Sequence, residues 1–206
     1  MKKCLYVLSL LVFPLSLVAE RISPEMALQR LIEGNKRFYT DQSVHPDRTA
    51  ERRQETTSLQ KPFAAILGCS DSRVAPEIIF DQGIGDLFIV RVAGNVVGPV
   101  ELDSVEYSAI YLDSSVVVVL GHENCGAIKA VMAGQTKHVE TVAELILPAI
   151  KKVPKDQVER AIKENVKNSV ARIRQSPSIK ELIEKKSLKV VPAYYNFHTG
   201  EMELLE

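Results

Sequence analysis

Phe63-Ala64-Ala65-Ile66-Leu67-Gly68-Cys69-Ser70-Asp71-Ser72-Arg73 and Val116-Val117-Val118-Val119-Leu120-Gly121-His122-Glu123-Asn124-Cys125 decide the reading of this chain. Each opens with a continuous apolar run, without the polar alternation of a half-exposed strand. That pattern belongs to a parallel sheet covered by helices on both faces. Each run passes through a glycine into side chains that carry chemistry. In open α/β sheets ligands bind beyond the carboxyl ends of the strands, and Cys69 and His122 both emerge at that edge. Two thiols and an imidazole form a soft donor set that suits tetrahedral Zn²⁺ with one position left for water or a carboxylate. The condition is that the two strand ends are neighbours.

Working outward, Leu87–Val92 is a further apolar strand and Leu188–Asn196 a fourth, with Met202–Leu205 as a short last one. Helical patterns fall between them, at Pro76–Phe80, Val100–Tyr111, Gly126–Met132, Thr141–Ile150, Pro154–Arg174 and Ile179–Glu184. Pro154 is expected at the first position of its helix. At the front, Ser23-Pro24-Glu25 combines an N-cap, a first-turn proline and a first-turn acid, and predicts a helix through about Tyr39. Residues 40–60 read as a loop with a helical turn around Ala50–Gln54. The β–α–β rhythm gives an α/β fold.

The length of 206 residues favours one domain, and 46% hydrophobic with 25% charged residues is an ordinary globular composition. Basic and acidic residues balance at 26 each, which argues against a nucleic-acid partner. Met1-Lys2-Lys3 followed by the apolar Leu5–Val18 reads as an export signal, too short and proline-interrupted for a membrane span. The expected layout is a signal peptide at 1–19 and a single domain at 20–206, with a helical arm at about 20–60 and a metal-binding core at about 61–206. Localisation would be periplasmic, without stable membrane association after cleavage.

Cleavage removes Cys4 and leaves Cys69 and Cys125, a pair that in an exported protein also permits a disulfide. Their neighbours argue for metal. His122 and Cys125 are spaced to face one ion at a helix start, where a thiolate is favoured. Two thiolates and a neutral imidazole cancel the charge of Zn²⁺, so the fourth ligand decides the outcome. Water there acquires a pKa near about 7, whereas Asp71 there would close the site. Arg73 can hold Asp71 in a bidentate pair and act as a gate.

Gly68-Cys69-Ser70-Asp71-Ser72-Arg73-Val74 with Gly121-His122-Glu123-Asn124-Cys125-Gly126-Ala127 resembles the β-class carbonic anhydrases. The likeness extends through Ser23-Pro24, Phe88–Asn95 and Ala193–Tyr195 before Thr199-Gly200. It implies a four-stranded parallel central sheet with an added antiparallel edge strand, flanked by helices. It also implies a homodimer or homotetramer. The implied activity is reversible hydration of carbon dioxide to bicarbonate and a proton by zinc-bound hydroxide, with one Zn²⁺ per chain.

By the same resemblance Cys69, His122 and Cys125 hold zinc, with Asp71 a fourth ligand only in a closed state. Asp71 and Arg73 form the catalytic dyad, and the Gly126 backbone N–H supports the developing bicarbonate. Gln60, nine residues before Cys69, matches a substrate-binding glutamine of the plant-like branch that usually acts across a dimer interface. Phe88 and Tyr107 match apolar walls of the carbon dioxide pocket. The chain has no Trp, and Ile66 stands where the other branch uses one for an inhibitory bicarbonate site. Val92-Ala93-Gly94-Asn95 departs from the Asn-x-Ala-Asn of many members.

His45, His138 and His198 are further proton-transfer candidates, and Gly83-x-Gly85 lacks the third glycine and the setting of a nucleotide loop. Two rival readings remain at this stage. The same zinc site could take carbon disulfide or carbonyl sulfide, or the chain could be a non-catalytic zinc- or disulfide-bonded binding module.

Overall fold

A computed structural model describes residues 21–206, so the expected signal peptide and Cys4 lie outside the described residues. Helix α1 (Pro24–Tyr39) begins where the Ser23 side chain accepts the Met26 N–H at 3.2 Å, and it buries Ala27 and Leu31. In chain order there follow α2 (Ala50–Glu55), β1 (Ala64–Gly68), α3 (Pro76–Ile79), β2 (Leu87–Arg91), α4 (Pro99–Tyr111) and β3 (Val116–His122). Then come α5 (Gly126–Met132), α6 (Glu140–Ile150), α7 (Val158–Gln175), α8 (Pro177–Glu184), β4 (Lys189–Tyr195) and β5 (Met202–Leu204).

The five strands form one sheet in the order β2-β1-β3-β4-β5. The first four are parallel and β5 is antiparallel to β4, as expected for this fold class. The continuous apolar runs are explained by burial on both faces: every residue of β1 and β3 is buried. Side chains of Ile66, Val118 and Leu120 pack with α1 and α3 on one face. Those of Leu67, Val117 and Val119 pack with α4, α7 and α8 on the other. β2 is an edge strand and only half-buried.

Register places the site. Gly68 of β1 lies opposite Leu120 of β3, so the chain leaves both strands at one edge of the sheet with Cys69 and His122 as neighbours. β3 does not stop at Leu120, as the apolar run suggested, but pairs through Gly121 and His122 with Tyr194 and Tyr195. Gly121 is needed there because α7 crosses closely: a Cβ would stand 2.4 Å from Val166 Cγ2.

One helix boundary differs from expectation. Pro154 does not open α7; Pro154 to Gln157 is a turn closed by the Gln157 N–H on the Pro154 carbonyl at 3.0 Å. Gln157 leaves the helical region at φ −101°, ψ 60°, so α7 starts at Val158.

Candidate metal centre

Cys69 follows β1, His122 ends β3, and Cys125 caps the start of α5. Their ligand atoms all lie within 4.8 Å of one another, and all three residues are buried. Around a tetrahedral zinc, bonds of about 2.3 Å to sulfur and 2.0 Å to nitrogen place ligand atoms roughly 3.5–3.8 Å apart, a span this cluster can meet. Both cysteines are free thiols, so the disulfide alternative does not describe this structure.

The histidine is prepared for a cation. His122 Nδ1 lies 2.8 Å from the Glu123 carbonyl, which selects the tautomer with the proton on Nδ1. Nε2 then points a lone pair into the cluster, buried and without a hydrogen-bond partner. A buried orphan acceptor is costly unless something binds it. The sulfurs are equally suited: Cys125 S–H donation draws the Cys69 thiol down, against burial that opposes it. The same contact, with burial, pushes the Cys125 thiol up. A soft dication replacing that shared proton would meet two thiolates and a neutral imidazole.

Asp71 and Arg73 stand beside this cluster. Asp71 Oδ1 accepts from the Arg73 backbone N–H at 3.0 Å and from Nε at 2.9 Å, and Oδ2 accepts from Nη2 at 2.7 Å. Those bonds hold the Asp71 carboxyl far below the usual carboxylate range, despite partial burial. Oδ2 also lies 3.8 Å from His122 Nε2, facing the donor set.

Several supporting residues have no counterpart in the sequence reading. Arg91, at the end of β2, donates Nε to the Cys69 carbonyl at 3.1 Å and Nη2 to the Asp71 carbonyl at 2.7 Å, clamping the loop between ligand and dyad. The Gly94 N–H donates to Cys69 Sγ at 3.3 Å, and Gly94 holds φ +70° to do so. Asn165 of α7 fixes Gly94 in turn, donating to its carbonyl at 2.7 Å. Phe197, in the turn after β4, packs on the ring of His122. All act across long sequence separations; only the unusual Val92–Asn95 loop and the Glu123 between two ligands offered a signal.

The remaining expected site residues are placed as follows. Gly126 opens α5 directly after Cys125, with open space where a Cβ would stand. Gln60 is exposed on the segment leading into β1. Phe88 pairs with Ala65 in register, three residues below the Gly68–Arg91 level, and its ring meets Tyr107 at 6.1 Å. At about 3.3 Å per residue that puts Phe88 some 10 Å down the sheet from the donors. The structure therefore does not bring Gln60, Phe88 or Tyr107 to the cluster of their own chain. Of the other histidines, His198 reaches Glu123 at 3.3 Å, His45 faces Asp81 at 3.9 Å, and His138 is exposed.

A carbonic anhydrase family model matches residues 64–202. The chain is 38% identical over 192 residues to Carbonic anhydrase 2 of Mycobacterium tuberculosis and 36% identical to the carbonic anhydrase of Mycolicibacterium smegmatis. Each alignment covers 88% of this chain and 93% of the relative. Among solved structures, the β-carbonic anhydrase CcaA is similar with a TM-score of 0.65 at 27% identity, covering 88% of both chains. The Coccomyxa β-carbonic anhydrase in complex with acetazolamide shares the fold, with a TM-score of 0.69 at 24% identity over 86% of both chains. Matched from β1 into β5, and carrying the Cys-His-Cys cluster at the edge of the expected sheet, the chain belongs to the β-class carbonic anhydrases.

Proposed function

We propose that Cys69, His122 and Cys125 hold one zinc ion per chain, and that the enzyme uses it for the reversible hydration of carbon dioxide. The observation that carries this reading is the buried donor triad with the unpartnered His122 Nε2 at its centre. Zinc there would supply a hydroxide nucleophile at neutral pH by lowering the pKa of a water to roughly 7. The chain's own residues set what surrounds it. Asp71 takes two hydrogen bonds from Arg73 on Oδ1 and one on Oδ2, and the remaining lone pair of Oδ2, the oxygen nearer His122 Nε2, would accept a hydrogen bond from the nucleophile and orient its attack. Arg73 keeps that carboxylate ionised and drawn away from the fourth position. The Gly126 N–H, at the first position of α5 directly after Cys125, would support a bicarbonate oxygen.

The proposal extends to a homodimer, or a homotetramer assembled from it. Among the described residues β2 leaves one edge of the sheet unpaired, and its Phe88 meets Tyr107 of α4, which in turn meets Tyr111; the two tyrosines are 45% and 74% exposed. An apolar flank beside an open strand edge is covered by association. In that assembly Gln60, Phe88 and Tyr107 serve the site of the partner copy, Gln60 donating to a substrate oxygen and the two rings walling an apolar pocket. With Ile66 in place of a Trp, the enzyme is of the plant-like branch and lacks a bicarbonate switch. The leader at 1–19 exports it to the periplasm, where it interconverts inorganic carbon.

Stopped-flow carbon dioxide hydration tests the reading. Turnover lost on chelation and restored by zinc is expected. A rate no greater than that of buffer, from protein loaded with zinc, would overturn it.

A further inference from the structure

Phe197 touches both halves of the centre. The guanidinium carbon of Arg73 stands 4.3 Å above its ring, and the ring centroid lies 5.3 Å from that of His122 at an interplanar angle of 44°. Tyr195 meets it edge-on at 5.6 Å. Its backbone is fixed as well: the Phe197 N–H donates to Glu123 Oε2 at 3.0 Å. Glu123 is itself anchored, its N–H donating to the Tyr195 carbonyl at 2.9 Å. Glu123 thus holds His122 with its carbonyl and Phe197 with its carboxylate.

Arg73 has need of such a platform. Its side chain is 55% exposed, and an ion pair at that exposure does little to hold a long side chain against its rotamer freedom. A ring face under the guanidinium removes the alternative positions in which Arg73 swings into solvent. We propose that Phe197 is a positioning residue: its ring keeps Arg73 on Asp71 and so keeps the Asp71 carboxylate out of the metal's fourth position. This rests on the zinc reading above and adds a fourth element to it, contributed from the turn beyond β4.

Phe197→Leu removes the π face while keeping an apolar side chain, and Phe197→Tyr retains the face. Metal content, the visible absorption of the cobalt(II)-substituted protein, and kcat and KM separately are compared for both and for the unsubstituted enzyme. All three should bind about one metal ion per chain. Phe197→Leu should lower kcat roughly three- to tenfold with little change in KM, and shift the cobalt band as a carboxylate enters the coordination sphere. Phe197→Tyr should restore both. An unshifted cobalt band in Phe197→Leu, or a tyrosine variant no better than the leucine one, would overturn the inference. If Phe197→Leu does not fold, Phe197→Met takes its place in the same comparison. Metal-loaded but inactive unsubstituted protein would instead overturn the hydration reading, and the cobalt comparison would still decide the role of Phe197.

Discussion

The N–H of Gly94 points at Cys69 Sγ, 3.3 Å away, from a residue that follows β2 to one that follows β1. This bond stabilises a thiolate, and Gly94 makes it from the left-handed region at φ +70°. The donor cluster is thus supported by backbone geometry that neither cysteine motif contains.

Asn165 holds that geometry through its bond to the Gly94 carbonyl. Asn165→Ala should leave the buried carbonyl unsatisfied, at a cost of about 1–3 kcal/mol in unfolding free energy. It should also weaken metal binding by roughly ten- to a hundredfold, the usual effect of losing an outer-shell support. Urea denaturation and chelator competition measure the two effects; an unchanged metal affinity would separate Asn165 from the centre.

Asp71→Asn tests the dyad without disturbing the donors. The amide keeps the shape but cannot accept in the same way, so the variant should retain its metal while hydration falls by about a hundredfold or more. Metal analysis alongside stopped-flow kinetics checks this. Full activity would remove Asp71 from the mechanism.

Gly68, at the end of β1, and Gly121, inside β3, should respond differently to alanine. Gly121→Ala forces a Cβ to within 2.4 Å of Val166 Cγ2, and overpacking of this kind costs about 1–3 kcal/mol. Gly68→Ala meets no atom within 4 Å and should leave stability nearly unchanged. Thermal melts of the two variants make the comparison. Equal effects would mean that the α7 crossing does not press on β3.

Asp81 should give the fold an acid-side weakness remote from the metal. Burial pushes its carboxyl up, but hydrogen bonds from Arg37 at 2.7 Å and from the Val44 and His45 N–H groups at 3.0 Å outweigh it, so the net shift is downward. A folded-state pKa below the unfolded value near about 3.9 contributes stability above that pH and loses it as pH falls through the folded value. Asn is suited to the positive φ of 45° at this position. Asp81→Asn should therefore lower stability at neutral pH and flatten its decline below about pH 4. A urea midpoint with the same pH slope in both proteins would contradict this.

The sheet and the donor set were legible because they depend on short stretches. A buried parallel strand has to be apolar throughout, and Cys69 and His122 of the donor cluster each directly follow a strand glycine in sequence. Ser23-Pro24 announced α1 by local capping chemistry in the same way. The start of α7 was misplaced because a proline at a plausible first position also suits the turn that joins α6 to α7. Gly121 looked like a strand end, and only the crossing of α7 shows why it is a glycine inside β3. Arg91, Asn165 and Phe197 were invisible as parts of the site because each acts on residues distant in sequence, through a carbonyl or a ring face that no local pattern encodes.

Every role assigned above depends on Cys69, His122 and Cys125 together holding one zinc ion. X-ray absorption at the zinc edge of the purified protein tests it most directly. The spectrum should show two sulfur neighbours at about 2.3 Å and two lighter neighbours at about 2.0 Å, at one zinc per chain. Protein that takes up no zinc and carries a Cys69–Cys125 disulfide, or zinc surrounded by oxygen and nitrogen alone, would contradict it.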